Sequence, residues 1–206
     1  MPPAEPRRPR ADATRNRRQL LNVATRMFAS AADEPSMRAI AQEAGVGIAT
    51  LYRHFPTRES LVDAVYRDQV SRLTAGAHEL LTQLDPPAAL RRWMDLFGDW
   101  IATKNGMLNT LLAMVESGEI AHTDTRAELL AAIEAILEAG RASGQLRADI
   151  PAEDIAAALI GIFTVAGSPE QRAMAGRLLD LLMDGLRVDR PSDRGASPAS
   201  VVGGRS

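Results

Sequence analysis

Residues 36–58 constrain the fold of this 206-residue chain more than any other segment, because they specify two short helices joined by a glycine turn. Ser36 is placed to accept backbone N–H bonds at the start of the first helix. The inner face of that helix is apolar and consists of Ile40, Ala41 and Ala44. Gly45 can adopt the left-handed conformation that a tight turn between helices requires. Leu51 and Phe55, four positions apart, would face the core from the second helix, and the segment as a whole predicts a helix-turn-helix.

The composition favours helices throughout the chain. Alanine, leucine, arginine and glutamate dominate, aromatic residues make up 4%, and 46% of all residues are hydrophobic. An all-α fold with one large domain or two small ones is therefore expected. The chain has no cysteine, which excludes disulfides, thiolate catalysis and cysteine metal sites. Because no signal-peptide pattern and no apolar stretch of membrane-spanning length are found, we expect a soluble cytoplasmic protein.

The net charge of −2 conceals two oppositely charged parts. Residues 1–58 carry ten arginines and five acidic residues, a balance of +5, whereas residues 59–206 have a balance of −7. The sign changes at the end of the helix-turn-helix. A basic module of this kind suits the neutralisation of nucleic-acid phosphates, and the alternative is a merely solvated charged surface.

The motif also resembles the N-terminal signature of the TetR family of transcriptional regulators. The resemblance is carried by Ala-Ile-Ala at 39–41, Gly45-Val46, Leu51-Tyr52, His54-Phe55 and Thr57-Arg58 with a following Leu61. It covers residues 15 to about 66, and beyond them the likeness is architectural only. It implies a ligand-responsive regulator, most often a repressor, that binds a palindromic operator as a C2 homodimer. The residues themselves lead us to expect no cofactor and no metal.

The chain divides into four predicted parts. A disordered basic arm occupies residues 1–13, a three-helix DNA-binding domain 14–58, a six-helix ligand-sensing and dimerisation domain 59–187, and a disordered tail 188–206. Periodicity and capping signals predict the longer helices at about 14–30, 58–84, 86–106, 107–116, 123–142, 154–166 and 169–187.

The resemblance implies that the second helix of the motif lies in the major groove of DNA. The predicted DNA-binding residues are Ser36, Arg38, Gly47, Ile48, Ala49, Thr50, Tyr52, Arg53, His54 and Arg58. Gly47, Ile48 and Ala49 are small or apolar, so base reading falls in part to Arg38, which could equally contact phosphate or face solvent. Thr50, Tyr52, His54 and Arg58 can donate to phosphate oxygens, and Arg58 stands where the family often has lysine.

The ligand-sensing and dimerisation domain, residues 59–187, is called the body below, and it has two predicted functional surfaces. An apolar effector pocket would be lined by Trp93, Met94, Phe97, Trp100, Met107, Leu111, Met114 and Phe163, although core packing explains each of these residues singly. A dimer interface on the last two helices would contain Ile155, Leu159, Ile162, Leu178, Leu182 and Leu186. Effector binding is expected to shift the body between two conformations. This shift would move apart the two DNA-binding domains of the dimer, which are called the heads below.

Two other classes of function compete with this interpretation. Glu119 and His122 have the Glu-x-x-His spacing of di-iron helical bundles, but such a site needs the motif twice and the chain contains it once. No catalytic triad order, phosphate loop or dinucleotide fingerprint is found, so catalysis is not expected. A helical adaptor that uses the motif for protein contacts is the remaining alternative.

Overall fold

A computed structural model describes residues 9–30, 33–118 and 123–188 of the chain. Within these ranges every long element is an α-helix, which confirms the expected all-α class, and one isolated antiparallel bridge joins Leu146 to Arg187. The helices are α1 (Pro9–Ser30), α2 (Met37–Glu43), α3 (Ile48–His54), α4 (Arg58–Gln83), α5 (Pro86–Asn105), α6 (Leu108–Glu116), α7 (Thr123–Ala142), α8 (Ala152–Val165) and α9 (Arg172–Leu186), with a 3₁₀ turn at Pro169–Gln171 before α9.

Helix α2 begins directly after Ser36, the cap that the sequence predicts, and α4 and α5 also begin after capping side chains. Ser36 accepts a hydrogen bond from the amide of Ala39, and Thr57 forms a reciprocal capping box with Ser60 at the start of α4. Asp85 caps α5, which has proline in its first turn.

Some boundaries differ from the predicted ones. Helix α1 begins at Pro9 instead of residue 14, and α8 begins at Ala152, where Pro151 occupies the N-cap position. The last predicted helix is divided, because residues 169–171 form a 3₁₀ turn and α9 starts at Arg172. Most of the predicted arm and tail, and the segment that contains Glu119 and His122, lie outside the described residues.

Two packed units share one hydrophobic cluster. In the N-terminal unit, Leu20 of α1, Ile40 of α2 and Leu51 of α3 are fully buried. In the C-terminal unit, α4 packs against α5 and α7, and the Trp93 indole N–H donates to the Leu73 carbonyl oxygen at 2.8 Å. Helix α1 also packs along α5 and so joins the two units. In the described part of the chain, no helix combines the length and the apolar character needed to cross a membrane.

Candidate nucleic-acid interface and regulatory body

The turn between α2 and α3 is fixed by backbone geometry. Gly45 has φ +65°, and its amide donates to Gln42 while the amide of Val46 donates to Ala41. The Gln19 side-chain amide of α1 donates to the Ala44 carbonyl oxygen at 2.8 Å and satisfies an acceptor at the end of α2. Because Leu51 and Phe55 are buried beneath it, α3 has one defined orientation on the unit.

Several predicted DNA-binding residues are exposed on α2 and α3. Arg38, Gly47, Ala49 and Arg53 are exposed, and Tyr52 retains 46% of its accessible surface. A Cβ built on Gly47 would meet no atom within 4 Å, so the start of α3 has open space around it. These residues could approach a groove without rearrangement of the core.

The other predicted residues of the motif have partly internal roles. The hydroxyl of Ser36 is used as the α2 cap, and Ile48 is half-buried against the hydrophobic cluster. Thr50 accepts a hydrogen bond from Arg53 Nη2 at 2.9 Å, so the arginine lies along α3 towards its N-terminus. His54 is half-buried, with its ring 6.4 Å from that of Phe55.

Arg58 lies apart from this exposed set, although it was predicted as a phosphate contact. Its guanidinium donates to Glu34, to the Pro35 carbonyl oxygen and to Thr110, and only 25% of its side chain is exposed. Burial tends to raise the pKa of the Glu34 carboxyl, but hydrogen bonds from Arg58 and Thr110 outweigh it, so this pKa is lowered. The sequence could not reveal these partners, because Thr110 lies 52 positions from Arg58.

Three cationic groups on α1 were not among the predicted DNA-binding residues. Arg15, Arg17 and Arg18 are exposed on this helix, and the guanidinium of Arg17 lies 5.1 Å from the centre of the Phe55 ring. The sequence does indicate that these arginines are exposed, because they belong to the polar face of α1, opposite the apolar positions Leu20, Leu21 and Ala24. They extend the basic surface of the N-terminal unit.

The structure brings most of the predicted effector-pocket residues together in the core. The Phe97 ring lies 5.3 Å from Trp100, 5.8 Å from Trp93 and 6.1 Å from Phe163, measured between ring centres. Burial is nearly complete for seven of the predicted residues, namely Trp93, Met94, Phe97, Trp100, Met107, Leu111 and Met114. Phe163 is half-buried, covers Gly98 and borders a cleft of about 200 Å³.

The aromatic cluster contains one unsatisfied donor. The indole N–H of Trp100 is buried and has no hydrogen-bond partner within the described part of the chain. Tyr66, which was not among the predicted pocket residues, also joins the cluster: its ring centre lies 6.3 Å from that of Trp100, and burial raises its pKa. A hydrogen-bond acceptor inserted next to Trp100 would remove the cost of leaving its N–H unpaired.

The predicted dimer interface needs a correction. Ile155, Leu159 and Leu186 have at most 3% of their surface exposed, so they fill the core of the protomer and have no area left for a partner. Ile162, Leu178 and Leu182 are half-buried. The large exposed apolar side chains of α8 and α9 are Ile160, Val165 and Leu181, at 52%, 63% and 68%.

Polar side chains of α5 and α6 lie on the surface of the body. Asn105 and Asn109 are exposed and border a cleft of about 440 Å³ together with Phe28 and Glu34. Glu116 is exposed at the end of α6. In the described ranges, no group of three or more His, Asp or Glu residues could hold a metal ion.

Two family models match the chain. Residues 20–65 match the model described as bacterial regulatory proteins of the tetR family. Residues 85–188 match the model described as the C-terminal domain of SbtR-like transcriptional regulators. The first match contains the helix-turn-helix, and the second covers α5 to α9.

Known proteins with similar sequences or folds agree with these matches. A TetR transcriptional regulator from Streptomyces coelicolor is 44% identical, over 83% of this chain and 98% of that one, with a TM-score of 0.77. A TetR transcription regulatory protein from Mycobacterium vanbaalenii is 35% identical, over 87% and 99% of the two chains, with a TM-score of 0.68. The HTH-type transcriptional repressor KstR2 of Rhodococcus jostii (strain RHA1) is 27% identical over 82% of this chain and 90% of that protein.

Proposed function

The chain belongs to the TetR family of transcriptional regulators, and from this premise we propose that it is an effector-responsive repressor that binds a palindromic operator as a homodimer. The proteins it matches are transcriptional regulators, and this chain is likewise a regulator and not an enzyme. The observation that carries the proposal is the exposed, uncapped start of α3, held in place by a glycine turn and a buried underside. Repression is supported by the likeness to a repressor.

In this proposal α3 enters the major groove. Gly47 and Ala49 allow the helix to approach base edges closely, and Arg38 is available to donate to guanine. Tyr52, Arg53 and the α1 arginines then contact phosphates beside the groove. Ser36, Ile48, Thr50 and His54 keep these side chains in register through the caps and contacts described above.

A homodimer supplies the second head. The proposed dimer face is the exposed surface of α8 and α9. Ile160, Val165 and Leu181 are large apolar side chains exposed on these helices, and Ile162, Leu178 and Leu182 are half-buried. A C2 axis through this face would place two heads on one side of the DNA, about 34 Å apart. One head alone would read too few base pairs to select a site.

The effector proposed for the aromatic cluster is an apolar molecule that carries a hydrogen-bond acceptor. Phe97, Trp93 and Phe163 supply flat apolar walls, and the unpaired Trp100 N–H supplies one polar anchor. Since Trp93, Phe97 and Trp100 are buried without an effector, its entry requires the body to open. An effector that prefers the open body would lower operator affinity by the same factor by which DNA lowers effector affinity.

DNA selection followed by a matched pair of variants tests the operator part of the proposal. Duplexes enriched by the protein from fragmented genomic DNA are titrated by fluorescence anisotropy. Ala49→Glu adds a negative charge to an exposed position of α3 and should weaken binding by about 100-fold. Ala131→Glu makes the same change at an exposed position of α7 and should leave affinity unchanged. Absence of all duplex binding at low salt would instead favour the protein-binding adaptor.

A thermal-shift screen tests the effector part. Apolar compounds with and without a carbonyl group are compared, since a ligand that binds the folded state raises the melting temperature. Carbonyl compounds should give the larger shifts, and Trp100→Phe should remove that preference. A compound that binds the body and leaves DNA affinity unchanged would contradict the proposed coupling.

A further inference from the structure

The N-terminal unit and the body meet at a partly buried polar cluster formed by Glu34, Pro35, Arg58 and Thr110. Arg58 Nη2 donates to Glu34 Oε2 at 2.7 Å, Nη1 to the Pro35 carbonyl oxygen at 2.7 Å, and Nε to Thr110 Oγ1 at 3.0 Å. These acceptors belong to the α1–α2 connection and to α6, whereas Arg58 starts α4. One side chain therefore links three separate segments.

Glu34 supplies a cap that α6 lacks in its own sequence. The N-cap position of α6 is Met107, which makes no side-chain cap. Glu34 Oε1 accepts from the Thr110 amide at 3.1 Å, and Oε2 accepts from the Thr110 hydroxyl at 2.9 Å. A carboxylate at this end of a helix satisfies a free N–H and is favoured by the helix dipole. The cap comes from 76 positions away, in the DNA-binding unit.

A backbone contact beside the cluster holds the same two parts together. A Cβ built on Gly106 would collide with the Phe28 carbonyl oxygen, so α1 ends directly on the corner between α5 and α6. The Arg58 guanidinium lies 5.8 Å from the centre of the Phe28 ring. Displacement of this corner would therefore press on the end of α1.

We propose that Arg58 is a positioning residue for the DNA-binding head, which holds the Glu34 carboxylate on the N-terminus of α6 so that displacement of α6 moves the α1–α2 connection and α2 directly. This inference rests on the proposed function for the role of the head, but the junction itself can be measured without DNA. It gives Arg58 a role different from a phosphate contact. Movement of the body would then reach the head by a route separate from the length of α4.

Arginine suits this position for a geometric reason. Three of its N–H groups point in fixed directions to acceptors on two different segments, whereas a lysine ammonium has a single charged centre on a flexible stem. Arg58→Lys should therefore loosen the junction although the charge is kept. A phosphate contact would predict the opposite, because lysine serves as well there.

Hydrogen exchange of the full-length protein without DNA tests the junction. In Arg58→Lys and in Glu34→Gln, the amides at the start of α6 and in α2 should exchange about tenfold faster than in the wild type. Arg67→Lys is the matched control, since Arg67 pairs with Asp63 on the exposed side of α4. Unchanged exchange at both α6 and α2 in folded Arg58→Lys would overturn the proposal, as would faster exchange at α6 alone.

The salt dependence of DNA binding separates positioning from phosphate contact. The probe is a duplex enriched by the wild-type protein, and log affinity is plotted against log salt. If Arg58 only positions the head, Arg58→Gln lowers affinity and keeps the slope, whereas loss of a phosphate contact reduces the slope by about 1. Arg53→Gln provides the comparison, because Arg53 is exposed and is assigned to a phosphate contact. Failure of the wild-type protein to bind DNA would refute the proposed function and leave the exchange test of the junction valid.

Discussion

At the scale of single residues, Gly45 gives the most direct link between sequence and geometry. Its φ of +65° lies in the left-handed region, and a Cβ at this position would meet no atom within 4 Å. Gly45→Ala should therefore destabilise the protein by about 1–2 kcal/mol through backbone strain alone. Gly76→Ala, within α4 and with only an ordinary contact to Leu96, should stabilise by roughly 0.5–1 kcal/mol. Urea denaturation measures both, and equal effects would contradict this explanation.

Glu34 predicts a pH dependence of stability. Its folded-state pKa is lowered from the ordinary value of 4.5, because the hydrogen bonds from Arg58 and Thr110 outweigh the effect of burial. Its ionised form therefore contributes stability at neutral pH, and this contribution is lost as the pH falls below 4.5 through the folded-state pKa.

Denaturant unfolding of the wild type and Glu34→Gln at several pH values checks this sign. The variant should be less stable at pH 7, and the difference in unfolding free energy should shrink as the medium becomes acidic. A difference that stayed constant across this range would show that Glu34 contributes through packing and not through its charge.

At the scale of helices, sequence patterns predicted where a helix lies better than they predicted which of its sides is buried. Caps such as Ser36 and Thr57 are local signals, so the starts of α2 and α4 could be predicted from neighbouring residues. Helix α8 is apolar on more than one side, and periodicity alone could not assign Ile155 to the core and Ile160 to the surface. Partners distant in sequence, such as Arg58 and Thr110, leave no local pattern at all.

The exposed side of α9 supports a prediction about assembly. Leu181→Glu introduces a charge at a side chain that is 68% exposed in the protomer, so the fold should persist while the proposed dimer dissociates. Leu112→Glu is the matched control on α6, where the side chain is 52% exposed. Sedimentation equilibrium should give a monomer for Leu181→Glu and a dimer for the control. A dimeric Leu181→Glu protein would place the interface elsewhere.

At the scale of the whole molecule, the N-terminal unit and the body are distinct parts of the fold that contact each other through a small number of elements. The basic N-terminal unit packs on the acidic body through α1, α4 and the cluster of Arg58 with Glu34 and Thr110. General helix packing and the charge balance could be predicted from composition. The junction could not, since it depends on how α6 meets the α1–α2 connection in three dimensions.

The distance between the two heads of the proposed dimer tests how firmly they are held. The chain has no cysteine, so Gln42→Cys at an exposed position of α2 accepts a single spin label per protomer. Pulsed electron paramagnetic resonance should give one narrow distribution of the distance between the two labels. Arg58→Lys should broaden this distribution, because the head loses its attachment to α6. Arg67→Lys should leave the width unchanged.

Addition of a duplex enriched by the wild-type protein should narrow the Arg58→Lys distribution again, because binding to both half-sites selects one spacing of the heads. Restricting the heads to one spacing costs free energy, so the variant should bind DNA more weakly than the wild type. The slope of log affinity against log salt concentration should stay unchanged. If the width without DNA were the same in both proteins, the heads would be held by α1 and α4 alone.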